Sequence, residues 1–365
     1  MGFHGEGIGG AVFLALYSIN LSILIFGFST RRISFKSVYS FLLFHVCLRI
    51  SAQSVSIVTG TKDRLDTGLL IAFFVLGAEG YFSLVLCAYR FLIHHHQHIY
   101  PVSGSWLEGK PNKNKNTGAK DPWYVRFKRA MTARNSDGTK DPWVMTIIHW
   151  TLIGANTIII VGGTRATGVD YTEPDFWKRI HDGQVLRAVG QAIFLAINIL
   201  LAIFLYLSVR QDRNPNGTLP SGWNHFFRVE GVHGAIDAAD RPKIRSVSPD
   251  LLVLILAWPP LIIRGIFGLL QALVNPINYA SPAAYGSITG FTKLFIALEN
   301  VFSVLPEWTA CCLLCMTMFF KVDHLHRSEK LHSISNESTT PPTGGLGAAE
   351  QGDVRTAESH GMKQM

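Results

Sequence analysis

Apolar residues run through this chain in seven long blocks, at 9–28, 38–59, 68–93, 144–163, 184–209, 250–271 and 294–320, separated by stretches that hold most of the charge. Each block has about the 20 residues that a helix needs to cross a hydrocarbon core of roughly 30 Å. In hydrocarbon every backbone N–H and C=O must find its partner within the segment, so such blocks predict helices. The expected fold class is all-α: a polytopic membrane bundle of seven transmembrane helices over 1–320, followed by a tail over 321–365.

Polar residues enter the blocks at helical intervals. The second carries His45, Arg49, Gln53 and Ser56; the third Glu79, Ser83, Cys87 and Arg90; the fifth Arg187, Gln191 and Asn198; the sixth Asp250, Arg264 and Gln271; the seventh Glu299, Ser303 and Glu307. Spacings of three and four stack side chains on one helical face. An ionisable group exposed to lipid is costly, so these faces should turn into the bundle and find partners there.

Depth suggests which partners. At ~1.5 Å per residue, Arg49 and Glu79 each lie ~16 Å inside their spans, near the midplane, while Arg264 and Glu299 share a shallower level. The expected pairs are Arg49 with Glu79 or Glu307, and Arg264 with Glu299. Two roles stay open for this set. Either the pairs fix helix register, or His45, Arg49, Gln53, Glu79, Asn198, Arg264, Glu299 and Glu307 line a polar cavity for a small molecule, lipid or ion. Pro259 and Pro260, after Trp258, and Pro306 each remove a backbone hydrogen bond and predict kinks in the sixth and seventh spans.

Charge orients the bundle. Loops 31–37, 94–143 and 210–248 and the tail hold most of the 33 Lys and Arg, whereas the opposite side holds only Lys62, Arg64, Arg165, Lys178 and Arg179. The positive-inside rule then places the amino terminus outside and the carboxyl terminus in the cytosol. The net charge of +8 is thus a property of the inner face, where the basic loops could meet a cytosolic protein. It is no sign of nucleic-acid binding, because no basic helix stands apart from the membrane flanks. The first apolar run lacks a preceding basic region and is long enough to stay as a span, so a cleaved signal is not expected. All five cysteines, Cys47, Cys87, Cys311, Cys312 and Cys315, fall inside spans, where a thiol acts as a small apolar group.

The loop 94–143 repeats Lys120-Asp121-Pro122-Trp123 as Lys140-Asp141-Pro142-Trp143. Between the copies, Trp123, Phe127 and Met131 alternate with Arg126, Lys128, Arg129 and Arg134, as in a short amphipathic helix resting on an anionic leaflet. A solvated loop is the competing reading. The tail, rich in Ser, Thr, Gly and Pro, is expected to be disordered.

Other motifs imply no cofactor, metal or enzyme. Gly5-Glu6-Gly7-Ile8-Gly9-Gly10 has dinucleotide-like glycine spacing but follows no strand. His94, His95, His96, His98, His324 and His326 crowd two span ends without the fixed helical intervals of a zinc hydrolase. His45 and His149 share a depth suited to haem, yet lack a second such pair. Asn275-Pro276-Ile277-Asn278-Tyr279 spells a signature of rhodopsin-like receptors but falls after the sixth span, and Ala88-Tyr89-Arg90 replaces their third-helix motif.

Arg31-Arg32, Leu48-Arg49-Ile50-Ser51-Ala52-Gln53, Pro260-Leu261-Ile262-Ile263-Arg264 and Leu298-Glu299-Asn300, set on seven spans, give the chain its family likeness. Over about 8–320 it resembles fungal seven-transmembrane families of unknown function and, more distantly, the fungal lipid-translocating exporter group. The resemblance implies fold and membrane residence, in the plasma membrane or an endomembrane. The functional expectation is a receptor-like sensor with a polar intramembrane cavity. A lipid or small-molecule translocator is the alternative, and a zinc-dependent membrane hydrolase comes third.

Overall fold

The computed structural model of the chain describes residues 5–35, 37–62, 66–99, 105–108, 144–165, 174–213, 247–279, 281–287 and 290–319. The surface-contact segment expected at Trp123, Arg126, Phe127, Lys128 and Arg129, most of the basic loops, and the tail lie outside the described residues.

Seven helices are long and apolar enough to span a membrane: α1 Gly5–Ser29, α2 Tyr39–Thr61, α3 Thr67–Ile99, α4 Val144–Arg165, α5 Phe176–Arg213, α6 Pro249–Leu273 and α7 Lys293–Phe319. Their apolar faces point outward. Ile8, Val12, Ile19 and Phe26 on α1 are each more than half exposed, an arrangement water would penalise and acyl chains match. The chain is a multi-pass membrane protein.

Local chemistry sets the helix ends. Ser248 caps α6 by accepting a bond from Leu251 N–H at 3.3 Å, with Pro249 at the first position, where a missing N–H costs nothing. Thr292 caps α7 in the same way through Phe295 N–H at 3.2 Å. Arg31 adopts φ 56° just beyond α1, turning the chain sharply toward α2. Between α6 and α7 a small antiparallel hairpin pairs β1 Tyr285–Ser287 with β2 Gly290–Phe291.

Helices adjacent in sequence pack side by side, and α7 returns to α1. Glycines let backbones approach closely: a Cβ on Gly60 would stand 2.5 Å from Gly7 N, and one on Gly190 would stand 2.9 Å from the Ala155 carbonyl. The central element is α3, which touches α2, α4, α5 and α6. From Ser83 to Cys87 and on through Tyr89 it is buried on every side, whereas residues 71–79 are only half-buried. The bundle is therefore dense toward the end that carries the α1 C-terminus and looser toward the end that carries its N-terminus, termed here the amino-terminal face.

At the dense end, residues 105–108 fold back into the bundle. Ser208 Oγ donates to the Phe204 carbonyl and receives His96 Nε2 at 2.8 Å, and His96 Nδ1 meets Ser105 Oγ at 3.1 Å. Trp106 Nε1 donates to Gln211 Oε1 at 3.2 Å, and His95 lies 3.2 Å from the Asp212 carboxylate.

Candidate functional site

Near mid-bundle, Glu307 of α7 lies between two arginines. Arg49 of α2 approaches one carboxylate oxygen at 2.7 Å, and Arg264 Nε of α6 donates to the other at 2.6 Å. Glu307 is fully enclosed, and the guanidinium stems are held by small or aromatic neighbours. Arg49 passes over Gly80, where a Cβ would meet its Cδ at 2.7 Å, and Arg264 lies over the Tyr81 ring at 5.0 Å. One carboxylate shared by two cations leaves a net positive charge, which an interior of low dielectric tolerates only with further compensation.

Above this bridge, toward the amino-terminal face, opens a space of ≈ 690 Å³, its mouth included. Arg49 and Arg264 border it, as do Gln53 of α2, Arg187 and Gln191 of α5, and Gln271, Glu299 and Ser303 of α6 and α7. Arg187 is 3 % exposed. Its Nη1 donates to Asn278 Oδ1 at 2.9 Å, and its guanidinium lies 3.8 Å from the centre of the Tyr279 ring. Glu299 instead accepts from Gln271 Nε2 at 2.6 Å. Among the described residues neither Arg187 nor Glu299 forms an ion pair. Two polar atoms beside them, Arg264 Nη1 and Gln191 Oε1, are buried with no hydrogen-bond partner. Both flank Gly268, whose missing side chain leaves the gap: a Cβ there would lie 2.9 Å from the first and 2.6 Å from the second.

Backbone irregularity shapes the wall. α7 opens into a π-helical turn over Asn300–Val304, one residue short of Pro306, which has no N–H to offer that turn. Across the cavity, Gly77 and Gly163 face open space, with no atom within 4 Å of a would-be Cβ. Both line the cavity. A second space of ≈ 530 Å³, open solvent at its mouth included, adjoins the first through Gln53, Phe73, Glu299 and Val304, and is lined further by Leu70, Phe291, Phe295 and Ile296. Glu6 ties the start of α1 to its rim by accepting from Phe291 N–H at 2.8 Å.

Of the residues singled out by sequence, Arg49, Gln53, Arg264 and Glu299 border the cavity, and Glu307 lies just outside its lining. His45, Glu79 and Asn198 are spent elsewhere. His45 Nδ1 meets Ser83 Oγ at 2.9 Å and the Gly80 carbonyl at 3.0 Å. Glu79 accepts from Asn156 Nδ2 at 2.6 Å, and Asn198 Nδ2 binds Tyr81 Oη.

One pairing differs from expectation: Arg49 takes Glu307, one of the two partners expected for it, but Arg264 takes Glu307 and not Glu299. Side chains lean toward their helix N-terminus. On the antiparallel α6 and α7, Arg264 therefore leans away from the amino-terminal face while Glu307 leans toward it, and the two converge across a difference in backbone depth. α6 runs from Pro249 to Leu273 with Pro259 and Pro260 inside it. Trp258 Nε1 docks there on the Asn198 carbonyl at 2.9 Å.

Arg187 was visible in sequence as part of a polar stripe, but its importance was not. Its partners sit in the Asn275–Tyr279 segment, whose likeness to a receptor signature pointed elsewhere. Among the described residues no three His, Cys, Asp or Glu side chains gather as a metal site. Comparison with known protein families, curated proteins and solved structures gave no match to this chain.

Proposed function

We propose that this protein is a receptor-like sensor whose ligand sits in the cavity of the amino-terminal half, with the amino terminus outside and the basic loops in the cytosol. The observation that carries the reading is the pairing of a cavity lined by buried polar side chains, Gln191 Oε1 and Arg264 Nη1 among them without a hydrogen-bond partner, with an opposite end that is densely packed among the described residues. A pocket that stops at mid-bundle suits binding better than passage. Its floor, the Arg49–Glu307–Arg264 bridge, joins α2, α6 and α7, and the π-turn of α7 gives the element beside it a second backbone arrangement to move to. Occupancy above the bridge would then bias the packing of α7 and the loops below.

The charged groups that line a space at mid-membrane depth favour a second reading, lipid translocation, in which they would be the substrate path. The resemblance to lipid-translocating exporters points the same way. Reconstitution into vesicles carrying a fluorescent phospholipid separates the two. The sensor reading expects leaflet exchange no faster than in protein-free vesicles, and rapid ATP-independent exchange would replace it with the translocator.

A further inference from the structure

The cavity holds a cation and an anion that face one space without joining. Arg187 and Glu299 each turn to a neutral amide, Asn278 and Gln271 respectively. Two more groups are equally complementary and equally unmet, the donor Arg264 Nη1 and the acceptor Gln191 Oε1. All but Glu299 belong to side chains at least nine-tenths buried, so water cannot freely supply what the protein withholds.

From this geometry we infer that the ligand is a zwitterion: one molecule bearing a phosphate or carboxylate for Arg187 and Arg264 Nη1, and a primary ammonium for Glu299 and Gln191 Oε1. The inference rests on the sensor reading of the same site. A simple anion would meet the Glu299 carboxylate, and a simple cation would meet three guanidiniums, those of Arg49, Arg187 and Arg264. A zwitterion satisfies donors and acceptors together, its anionic group compensating locally the guanidiniums that Glu307 and Glu299 leave in excess. The adjoining space, walled by Phe291, Phe295 and Ile296, offers an attached apolar chain a place to lie.

The test is binding to the full-length protein in detergent, measured with four probes: lysophosphatidylethanolamine, lysophosphatidic acid, lysophosphatidylcholine and free phosphoethanolamine. The first should bind most tightly. Preference for lysophosphatidylethanolamine over phosphoethanolamine identifies a lipid source, and equal binding a soluble one. Arg187→Gln should weaken lysophosphatidylethanolamine and lysophosphatidic acid alike by roughly 10- to 100-fold, the loss of one charge-assisted bond. Glu299→Gln should weaken lysophosphatidylethanolamine by a similar factor while leaving lysophosphatidic acid as tight or tighter. Gly163→Leu fills open space without touching a charged group and should abolish binding while the thermal midpoint holds, which covers the case that a charge variant misfolds.

Lysophosphatidic acid binding as well as lysophosphatidylethanolamine, or a Glu299→Gln variant that discriminates between them as before, overturns the zwitterion. Native mass spectrometry tells that failure from failure of the sensor reading. A different small molecule that co-purifies and is expelled by Gly163→Leu leaves the sensor standing and removes the zwitterion. No occupant of any kind, together with rapid lipid exchange in vesicles, removes both.

Discussion

Arg264 binds Glu307 across α6 and α7, although Glu299 stands nearer to its own backbone level. Because Arg49 uses the other oxygen of the same carboxylate, Glu307 is, among the described residues, the one carboxylate ion-paired with both buried cations. Glu307→Gln should therefore destabilise the bundle by about 3–5 kcal/mol, the usual result of removing one partner from a buried ion pair. Glu299→Gln should cost only about 1 kcal/mol, since its partner is the neutral Gln271. Thermal unfolding of the two variants in one detergent checks the order, and equal losses would contradict it.

Two glycine substitutions separate packing from site. On Gly60 a Cβ meets the α1 backbone at Gly7, so Gly60→Ala forces the helices apart and should cost roughly 1–3 kcal/mol. On Gly268 the Cβ meets only the ends of Gln191 and Arg264, which can swing aside. Gly268→Ala should thus keep the thermal midpoint close to that of the parent while altering ligand affinity.

The dense end makes its own prediction. His96→Ala removes partners from both Ser105 and Ser208 in a buried site and should cost about 1–3 kcal/mol. Ligand affinity should be unchanged, because His96 lies at the opposite end of α3 from the cavity. Unfolding and binding measured on the same preparation test both halves of this statement.

Orientation is checked by glycosylation. Asn216-Gly217-Thr218 and Asn336-Glu337-Ser338 are acceptor patterns placed on the cytosolic side. Neither should carry glycan when the protein is made in a eukaryotic cell, and a glycan on either would invert the proposed topology.

Much of the architecture was legible because hydrocarbon leaves a chain few choices: an apolar block of sufficient length becomes a helix, and a charge within it turns inward. That logic located the seven spans and picked out Arg49, Arg264, Glu299 and Glu307. It could not rank the partners, since counting residues measures backbone depth and ignores the opposite lean of side chains on antiparallel helices. It also missed what only three dimensions reveal. Gly80 and Gly268 make room for guanidiniums on other turns and other helices, and Asn278 and Tyr279 reach Arg187 from a connecting segment 91 residues away in the case of Asn278. His45 and Asn198 looked like cavity residues because a polar stripe does not say where along the bundle the space lies.

The central claim is that a polar cavity opens within the membrane toward the amino-terminal face and ends at the Glu307 bridge. Its most direct test is thiol accessibility of Gly163→Cys, in a Cys47→Ser background, in sealed vesicles of known sidedness. A membrane-impermeant methanethiosulfonate reagent should modify it only from the side that carries the amino terminus. Modification from the opposite side alone, or from neither, would contradict the account.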